Sequence, residues 1–193
     1  MPLAQADVQQ LRVGDFAYLS GTVFTARDAV HKYLAAGNTV PCDLHHATLY
    51  HCGPIVVTDN GEFRIAAAGP TTSAREEPYM SGLIARFGLR GIIGKGGMGR
   101  ETLNACRQHG CVYFHAVGGA AQILAACVKR VAGVHLKEEF GSPEALWELE
   151  VARFPVVVTM DAHGNSLHAA TDEHSHRKLQ ELIRKKTGTA PNE

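Results

Sequence analysis

The chain has 193 residues, and its 19 lysine and arginine residues are balanced by 19 aspartate and glutamate residues. This balance excludes the broad basic field that nucleic-acid binding requires, and it excludes an acidic tail. A hydrophobic content of 45% and a charged content of 20% are typical of a globular protein with its own core. We expect no membrane-spanning segment, because no apolar stretch of the sequence is long enough. The first 15 residues carry no secretory signal, so we expect a cytoplasmic protein.

The first 70 residues alternate between strand and helix patterns. Four elements are predicted: a strand at 13–24, a helix at 25–37, and strands at 48–58 and 63–69 joined by an Asp-Asn-Gly turn. A further helix is expected to begin after Gly69 and Pro70. Ser73 and Glu76 have the spacing of a capping box, which indicates where this helix starts.

The second half of the chain continues the alternation. The predicted elements are a buried strand at 89–97, a helix at 100–110, a strand at 111–119, a helix at 120–131, a hairpin at 154–170, an exposed helix at 174–188 and a frayed end at 189–193. Strands that alternate with helices favour parallel β/α units, and therefore an α/β fold. We expect one domain, residues 1–193, in which residues 171–193 form a C-terminal helical tail.

The stretch GPTTSAR, residues 69–75, has the composition of an anion site. A helix that starts after a Gly-Pro turn presents free backbone N–H groups and the positive end of its dipole, which bind carboxylate or phosphate. Thr71, Thr72 and Ser73 add hydroxyl groups, and Arg75 adds a planar guanidinium that suits a carboxylate. The same residues could equally serve as helix caps beside a surface arginine.

A second glycine-rich stretch, GKGGMG at residues 94–99, lies between a predicted strand and a predicted helix. Its glycines allow the backbone to approach a ligand closely, and Lys95 could reach the same space as a point charge. The stretch lacks the spacing of a nucleotide-binding P-loop. A flexible loop with a solvated lysine is the alternative.

Arg27 and Asp28 open the helix predicted at 25–37. Asp28 suits the first helical turn, whereas a cation there is unfavourable unless an anion lies nearby. The position of Arg27 therefore indicates either an anionic ligand or an ordinary surface contact with Asp28.

The five cysteines and eleven histidines give no metal-ligand pattern. No Cys-x-x-Cys pair occurs, and no spacing places two imidazoles on one helical face beside a carboxylate. Reduced, buried cysteines are the favoured interpretation, so no metal ligand is predicted in this chain.

Taken together, six stretches in order resemble one family over about residues 11–170. They are SGTVFTARDAVHK, GPTTSAR, GKGGMG, VYFHAVGGAA, FGSPEALWELEV and FPVVVTMDAHGNSLH. The chain resembles the C-terminal domain of class I, iron–sulfur fumarases, which also occurs as a separate β subunit of fumarate hydratases and L-tartrate dehydratases. The resemblance implies a swivelling β/β/α domain with a mixed sheet and flanking helices.

The resemblance also implies a site shared with a partner. In the family, a separate α part supplies three cysteines to a [4Fe-4S] cluster, and those cysteines are not matched here. The cluster is therefore expected on a partner α subunit, in an α2β2 assembly. The matching positions imply that Thr71 is the catalytic base and that Arg27, Arg75 and Lys95 bind the substrate, and the hydroxyls of Thr72 and Ser73 complete the predicted substrate-binding set.

The expected activity is that of a hydro-lyase, the reversible hydration of fumarate to (S)-malate, which needs the α subunit. Transition-state charge on a carboxylate suits stabilisation by arginine, lysine and a helix N-terminus. Dehydration of L-tartrate and hydration of mesaconate remain alternatives, because the same residues would serve them. A module that binds an anion without catalysis is a third hypothesis.

Overall fold

The computed structural model describes residues 3–187, with the side chains of 185–187 left out. The elements in chain order are α1 (Gln5–Gln10), β1 (Phe16–Thr25), α2 (Asp28–Ala35), β2 (Thr48–Tyr50), β3 (Ile55–Asp59), β4 (Glu62–Ala67), a 3-10 turn (Ser73–Glu76), α3 (Glu77–Phe87), β5 (Gly91–Gly94), α4 (Arg100–His109), β6 (Val112–His115), α5 (Ala121–Ala126), β7 (Val128–His135), α6 (Lys137–Phe140), β8 (Leu146–Met160) and α7 (Leu167–Thr187). No helix within residues 3–187 has the length and apolar character needed to cross a bilayer.

The long strand β8 closes the main sheet on itself. Strands β1, β2, β5 and β6 lie side by side in parallel, and β8 pairs antiparallel with both ends of this row. Phe16 of β1 faces Val157, and Phe114 of β6 faces Val158. The first half of β8 also pairs with β7. The result is a partly barrel-like mixed sheet with flanking helices, as expected for an α/β fold.

Neighbouring residues on the parallel strands contribute to two different cores. Leu49 and Ile92 pack toward α2, α3 and α4, whereas the next residues, Tyr50 and Ile93, pack into the cluster around Trp147. This alternation follows from the two-residue period of a strand. Both faces of strands β2, β5 and β6 are therefore buried, as is usual for parallel strands.

Several predicted elements are confirmed. The helix in 25–37, the β3–β4 hairpin, the alternation from β5 to β6 and the exposed C-terminal helix are all present. The stretch 48–58 forms two strands instead of one, since Gly53 and Pro54 interrupt it. The frayed end at 189–193 lies outside the described residues.

Two predictions are wrong. The helix at 120–131 ends at Ala126, because the chain from Val128 onward pairs with β8. The hairpin at 154–170 is replaced by the end of β8, a turn, a single bridge between Met160 and Ser166, and the start of α7. In the first case pairing with β8 overrides the local helical pattern. In the second case residues 154–160 belong to β8 and pair with β1 and β6 instead of with a returning strand.

Candidate active site at the ends of the parallel strands

The candidate site lies where the carboxyl ends of the parallel strands converge. Arg27 follows β1, His51 follows β2, Lys95 follows β5, and His115 ends β6. Parallel strands bring these positions to one edge of the sheet, and the carboxyl ends of parallel strands are where both open and barrel-like α/β sheets bind ligands. The fold therefore brings together residues that are far apart in the sequence.

The loop that holds Thr71 is fixed between two of these strand ends. The Thr71 N–H donates to the His51 carbonyl at 2.7 Å, and the Lys95 N–H donates to the Thr71 carbonyl at 3.3 Å. The Ser73 N–H in turn donates to the Lys95 carbonyl at 3.0 Å. The exposed Thr72 pairs with Lys95 in an isolated parallel bridge. Thr71 is thus held beside Lys95 by backbone hydrogen bonds.

Arg75 joins the Thr71 loop to helix α2. Its Nη2 donates to Thr71 Oγ1 at 3.3 Å and lies 2.8 Å from Asp28 Oδ2. The Arg75 and Asp28 side chains are 48% and 47% exposed, so the pair can be reached from solvent. One guanidinium therefore contacts both the predicted base and a carboxylate.

The predicted capping box is wrong. Helix formation begins with the 3-10 turn Ser73–Glu76, and neither this turn nor α3 has a side-chain cap. The Ser73 hydroxyl and the Glu76 carboxyl both point inward and make other contacts, because a buried polar layer lies directly beneath the loop.

Arg27 is held by a carboxylate that is distant in the sequence. Its Nη1 lies 3.2 Å from Glu144 Oε1, and the second Glu144 oxygen accepts from the Ala29 N–H at 3.0 Å. Glu144 therefore offsets the unfavourable position of a cation at the start of α2. Gly53 is required here, since a Cβ at that position would lie 2.7 Å from Arg27 Cδ. The Arg27 Nε is buried and has no hydrogen-bond partner among the described residues.

Lys95 is half-buried beside the glycine loop that follows β6. A Cβ at Gly118 would lie 3.6 Å from Lys95 Cδ, which places the lysine stem along this loop. No salt bridge between side chains of residues 3–184 involves Lys95. Its charge is therefore available to an anion at the strand ends.

A buried hydrogen-bonded triad lies beneath the loop. Tyr113 donates from its hydroxyl to Ser73 Oγ at 2.8 Å, and Ser73 Oγ lies 2.8 Å from His51 Nδ1. Since the tyrosine supplies one proton, the serine proton is free to bond to His51 Nδ1. Burial holds the pKa of His51 well below its usual range, so the ring is neutral. Gly94 makes room for the triad, because a Cβ there would lie 1.9 Å from Ser73 Oγ.

The triad gives Ser73 a position unlike that of the other predicted site residues. Ser73 is fully buried, whereas Thr71, Thr72, Arg75, Arg27 and Lys95 are all at least partly accessible. Its hydroxyl is occupied by His51 and Tyr113, so its contact with substrate stays a prediction that this geometry does not favour. His51 and Tyr113 themselves escaped the sequence analysis, since their partners lie 22 and 40 residues away.

A second buried pair, His31 and Glu76, lies behind Arg27 and Arg75. Both side chains are fully buried, and His31 Nδ1 lies 3.4 Å from Glu76 Oε2. The same Nδ1 lies 2.8 Å from the Arg27 carbonyl, which can only accept, so Nδ1 carries the proton. Burial lowers the pKa of His31 to about 4 and raises the pKa of Glu76 to about 8. Both groups are therefore mainly neutral at pH 7.

The cysteines of this chain do not form a cluster site. Within residues 3–187 no group of three or more His, Cys, Asp or Glu side chains could hold a metal ion. Cys106 of α4 and Cys111, which follows this helix, lie together in the core, and Cys52 is buried near Tyr50. Burial raises the pKa of Cys52 to about 12, which disfavours the thiolate that a metal needs. These residues do not fit an iron–sulfur cluster.

The accessible groups together suit a small dianion. The Arg75 guanidinium donates to the Thr71 hydroxyl, and Arg27 and Lys95 follow strands that end at the same edge of the sheet. Such an arrangement can hold two carboxylates and can stabilise negative charge that develops between them. Both arginines already hold carboxylates of the chain, Asp28 and Glu144, at partly exposed positions where ion pairs are weak and can exchange.

Comparisons with known proteins match the chain to one family. The family model described as "Fumarase C-terminus" matches residues 2–171. A protein of Geobacillus stearothermophilus, provisionally named a class I fumarate hydratase, is 49% identical over 182 residues, which are 94% of this chain and 35% of the relative. The chain thus spans about a third of that relative.

Two further relatives have nearly the length of this chain. A Methanocaldococcus jannaschii protein, provisionally named the β subunit of L(+)-tartrate dehydratase, is 42% identical over 186 residues, covering 94% of this chain and 95% of the relative. The L(+)-tartrate dehydratase β subunit of Escherichia coli K12 is 37% identical over 170 residues, covering 87% and 84%.

Proposed function

Because the chain belongs to the fumarase C-terminal family, we propose that it is the β subunit of an iron–sulfur hydro-lyase that hydrates fumarate reversibly to (S)-malate together with an α subunit. The observation that supports this proposal most is the contact of Arg75 with Thr71, flanked by Arg27 and Lys95 at one accessible edge. A dicarboxylate needs two cationic contacts, and the edge offers three.

In this proposal, the cations fix the substrate and stabilise the transition state. Arg27 holds one carboxylate, while Arg75 and Lys95 face the other, next to the carbon that loses or gains a proton. Negative charge grows on that second carboxylate during proton transfer, and preorganised cations stabilise it more than they stabilise the ground state. Holding both ends also orients the reacting carbon toward Thr71.

Thr71 acts as the base, and Arg75 makes that role physically reasonable. A threonine hydroxyl is a weak base unless its ionised form is stabilised. A guanidinium that donates to Oγ1 favours the alkoxide, because a hydrogen bond and a positive charge both stabilise the anion. The proton taken from the substrate carbon is held on Thr71 Oγ1.

We place the [4Fe-4S] cluster on the α subunit, since the thiols of this chain do not fit one. When bound, such a cluster supplies a Lewis acid that takes up the substrate hydroxyl. The cations of this chain are then expected to face the α subunit across a shared site, in an α2β2 assembly in the cytoplasm. Light scattering of the purified complex tests the stoichiometry.

L-Tartrate dehydration is the second candidate. The chain covers 95% of a relative provisionally named a tartrate dehydratase β subunit, but only 35% of the fumarate hydratase relative. The names of the relatives support both substrates, because the identity is 42% and 37% to the tartrate dehydratase β subunits and 49% to the fumarate hydratase relative. Mesaconate, a methylated fumarate, would use the same cations.

The test is co-expression with a candidate α-type subunit, purification without oxygen, and assay on fumarate, L-tartrate and mesaconate. We expect turnover of fumarate by the complex and none by either chain alone. Turnover of L-tartrate only would replace the first candidate by the second. A cluster-loaded complex that turns over none of the three would contradict the hydro-lyase proposal and would leave an anion-binding module.

A further inference from the structure

Glu76 is a buried carboxyl group that the proposed chemistry does not use. Its side chain is fully buried, and neither oxygen accepts a hydrogen bond from any donor among the described residues. A buried carboxylate without donors is strongly unfavourable. The group is therefore a neutral carboxylic acid, and it has one proton to donate.

Asp28, and not His31, is the neighbour that can accept that proton. His31 Nδ1 lies 3.4 Å from Glu76 Oε2, but its own proton is directed to the Arg27 carbonyl, so Nδ1 cannot accept. The Asp28 carboxylate, which lies on the same helix as His31, interacts with the Glu76 carboxyl as a hydrogen-bond partner. Two carboxyl groups can share such a contact only when one of them is protonated.

Asp28 in turn holds Arg75. The Asp28 carboxylate pairs with Arg75 Nη2 at 2.8 Å, and the same Nη2 reaches Thr71 Oγ1 at 3.3 Å. Glu76, Asp28, Arg75 and Thr71 therefore form a continuous chain of contacts from the protein interior to the predicted base. One guanidinium, that of Arg75, thus connects the carboxyl pair to Thr71.

We propose that Glu76 is a positioning residue of the substrate site: as an uncharged acid it donates its proton to Asp28, which keeps Arg75 directed at Thr71 and leaves the site net positive. The proposal rests on the proposed function, since it assigns Arg75 to the substrate. Glu76 itself does not touch the substrate.

The charges around Glu76 explain why its neutral form matters. The titratable groups that face it are Asp28 and His31 of α2, Arg75 of its own turn, Glu144 before β8, and His51 behind His31. When Glu76 and both histidines are neutral, the charges of Arg27 and Arg75 are balanced by those of Glu144 and Asp28. The positive charge of Lys95 then remains in excess. An ionised Glu76 would cancel that excess and repel a dianion.

A carboxyl titration tests the ionisation without any turnover. The ¹³C-carboxyl NMR signal of Glu76 in the full chain is assigned by its absence from Glu76→Gln. We expect a midpoint at about pH 8 in the wild type, and a lower midpoint in Asp28→Asn, which removes a neighbouring negative charge. A wild-type midpoint near 4.5, the ordinary value for a glutamate, overturns the proposal whether or not the complex is active.

Kinetics of the assembled complex test the effect on the substrate. We expect the wild-type KM for fumarate to rise about tenfold between pH 7 and pH 9, which is the size expected for one charge about 10 Å away. Glu76→Gln keeps a neutral donor, so its KM should stay flat over this range. Glu76→Ala loses the donor, and its KM should rise about tenfold already at pH 7.

Glu76→Gln with the alkaline KM rise of the wild type would contradict the proposal. Thermal unfolding of each variant checks folding, and the Glu76→Gln comparison decides the matter if Glu76→Ala does not fold. A complex without hydro-lyase activity would refute the proposed function, and the carboxyl titration would still decide the state of Glu76.

Discussion

Arg75 Nη2 lies 3.3 Å from Thr71 Oγ1 and 2.8 Å from Asp28 Oδ2. A single guanidinium nitrogen thus connects the predicted base to a carboxylate at the start of α2. The contact depends on a loop fixed at His51 and Lys95, because backbone hydrogen bonds to both strand ends set the position of Thr71.

Replacing Arg75 should affect catalysis more than folding. Arg75→Ala is expected to lower kcat/KM about 100-fold or more, the usual effect of removing one preorganised donor. Arg75→Lys should recover only a small part, since an ammonium cannot reproduce the planar, multiply donating group. Arg64→Ala, an exposed arginine of β4, is the matched control and should keep wild-type activity. Equal activity of Arg75→Ala and Arg64→Ala would contradict the assignment.

Gly94 and Gly82 should respond to alanine in opposite directions. A Cβ at Gly94 would lie 1.9 Å from Ser73 Oγ and 2.9 Å from the Tyr113 hydroxyl, so Gly94→Ala should destabilise the fold by about 1–3 kcal/mol. Gly82 lies inside α3 with nothing within 4 Å of an added Cβ. Gly82→Ala should stabilise by about 0.5–1 kcal/mol. Urea unfolding measures both, and a stabilised Gly94→Ala would disprove the close packing.

The Ser73 hydroxyl should matter for stability. Ser73→Ala leaves His51 Nδ1 buried without a partner and deprives the Tyr113 hydroxyl of its acceptor, so we expect a loss of about 1–3 kcal/mol. Tyr113→Phe removes one donor but leaves the Ser73–His51 bond, and should cost less, about 1 kcal/mol. Ser175→Ala, on the exposed face of α7, serves as control. The triad would be refuted if all three variants unfolded at the same urea concentration.

The buried titratable groups predict a stability maximum near pH 6.5. The folded pKa of Glu76, about 8, lies above its ordinary 4.5, so its contribution is present at low pH and is lost as the pH rises through 8. The folded pKa of His31, about 4, and that of His51 lie below 6.5, so their contributions are lost as the pH falls from 6.5. Between pH 6.5 and 8, of these three groups only Glu76 changes the free energy of unfolding with pH.

Urea unfolding from pH 5 to pH 9 measures this profile. Glu76→Gln should remove the decline above pH 6.5, a difference on the order of 1–2 kcal/mol between pH 6.5 and 8. It should also steepen the loss below pH 6.5, since Glu76 offsets one of the two histidines there. A Glu76→Gln profile parallel to that of the wild type would show that Glu76 has an ordinary pKa in the folded chain.

The sequence predicted the parts of the site that are local. Thr71, Arg75 and Lys95 lie in glycine-marked connections between a strand and a helix, and such connections have patterns that a single stretch reveals. The structure places these residues at one edge with Arg27, as parallel β/α units require. Their roles toward a substrate stay predictions.

The missed residues depend on partners far along the chain. Glu144 bonds to Ala29 across 115 residues, and Tyr113 bonds to Ser73 across 40. Glu76 looked like part of a capping box because its neighbour on α2, His31, cannot be known from sequence spacing. Likewise, no local signal shows that Val128 begins a strand, since its pairing is set by β8. Each of these features is set by contacts between residues that are far apart in the sequence.

The central claim is that Thr71 moves the proton of the substrate, and isotope exchange tests it most directly. The assembled complex is incubated with (S)-malate in D2O, and loss of the C3 proton signal is followed by NMR for the wild type, Thr71→Ser and Thr71→Ala. Thr39→Ala, an exposed threonine between α2 and β2, is the control. We predict exchange in the wild type and the control, reduced exchange in Thr71→Ser, and a loss of at least about 100-fold in Thr71→Ala. Wild-type exchange by Thr71→Ala would contradict the claim.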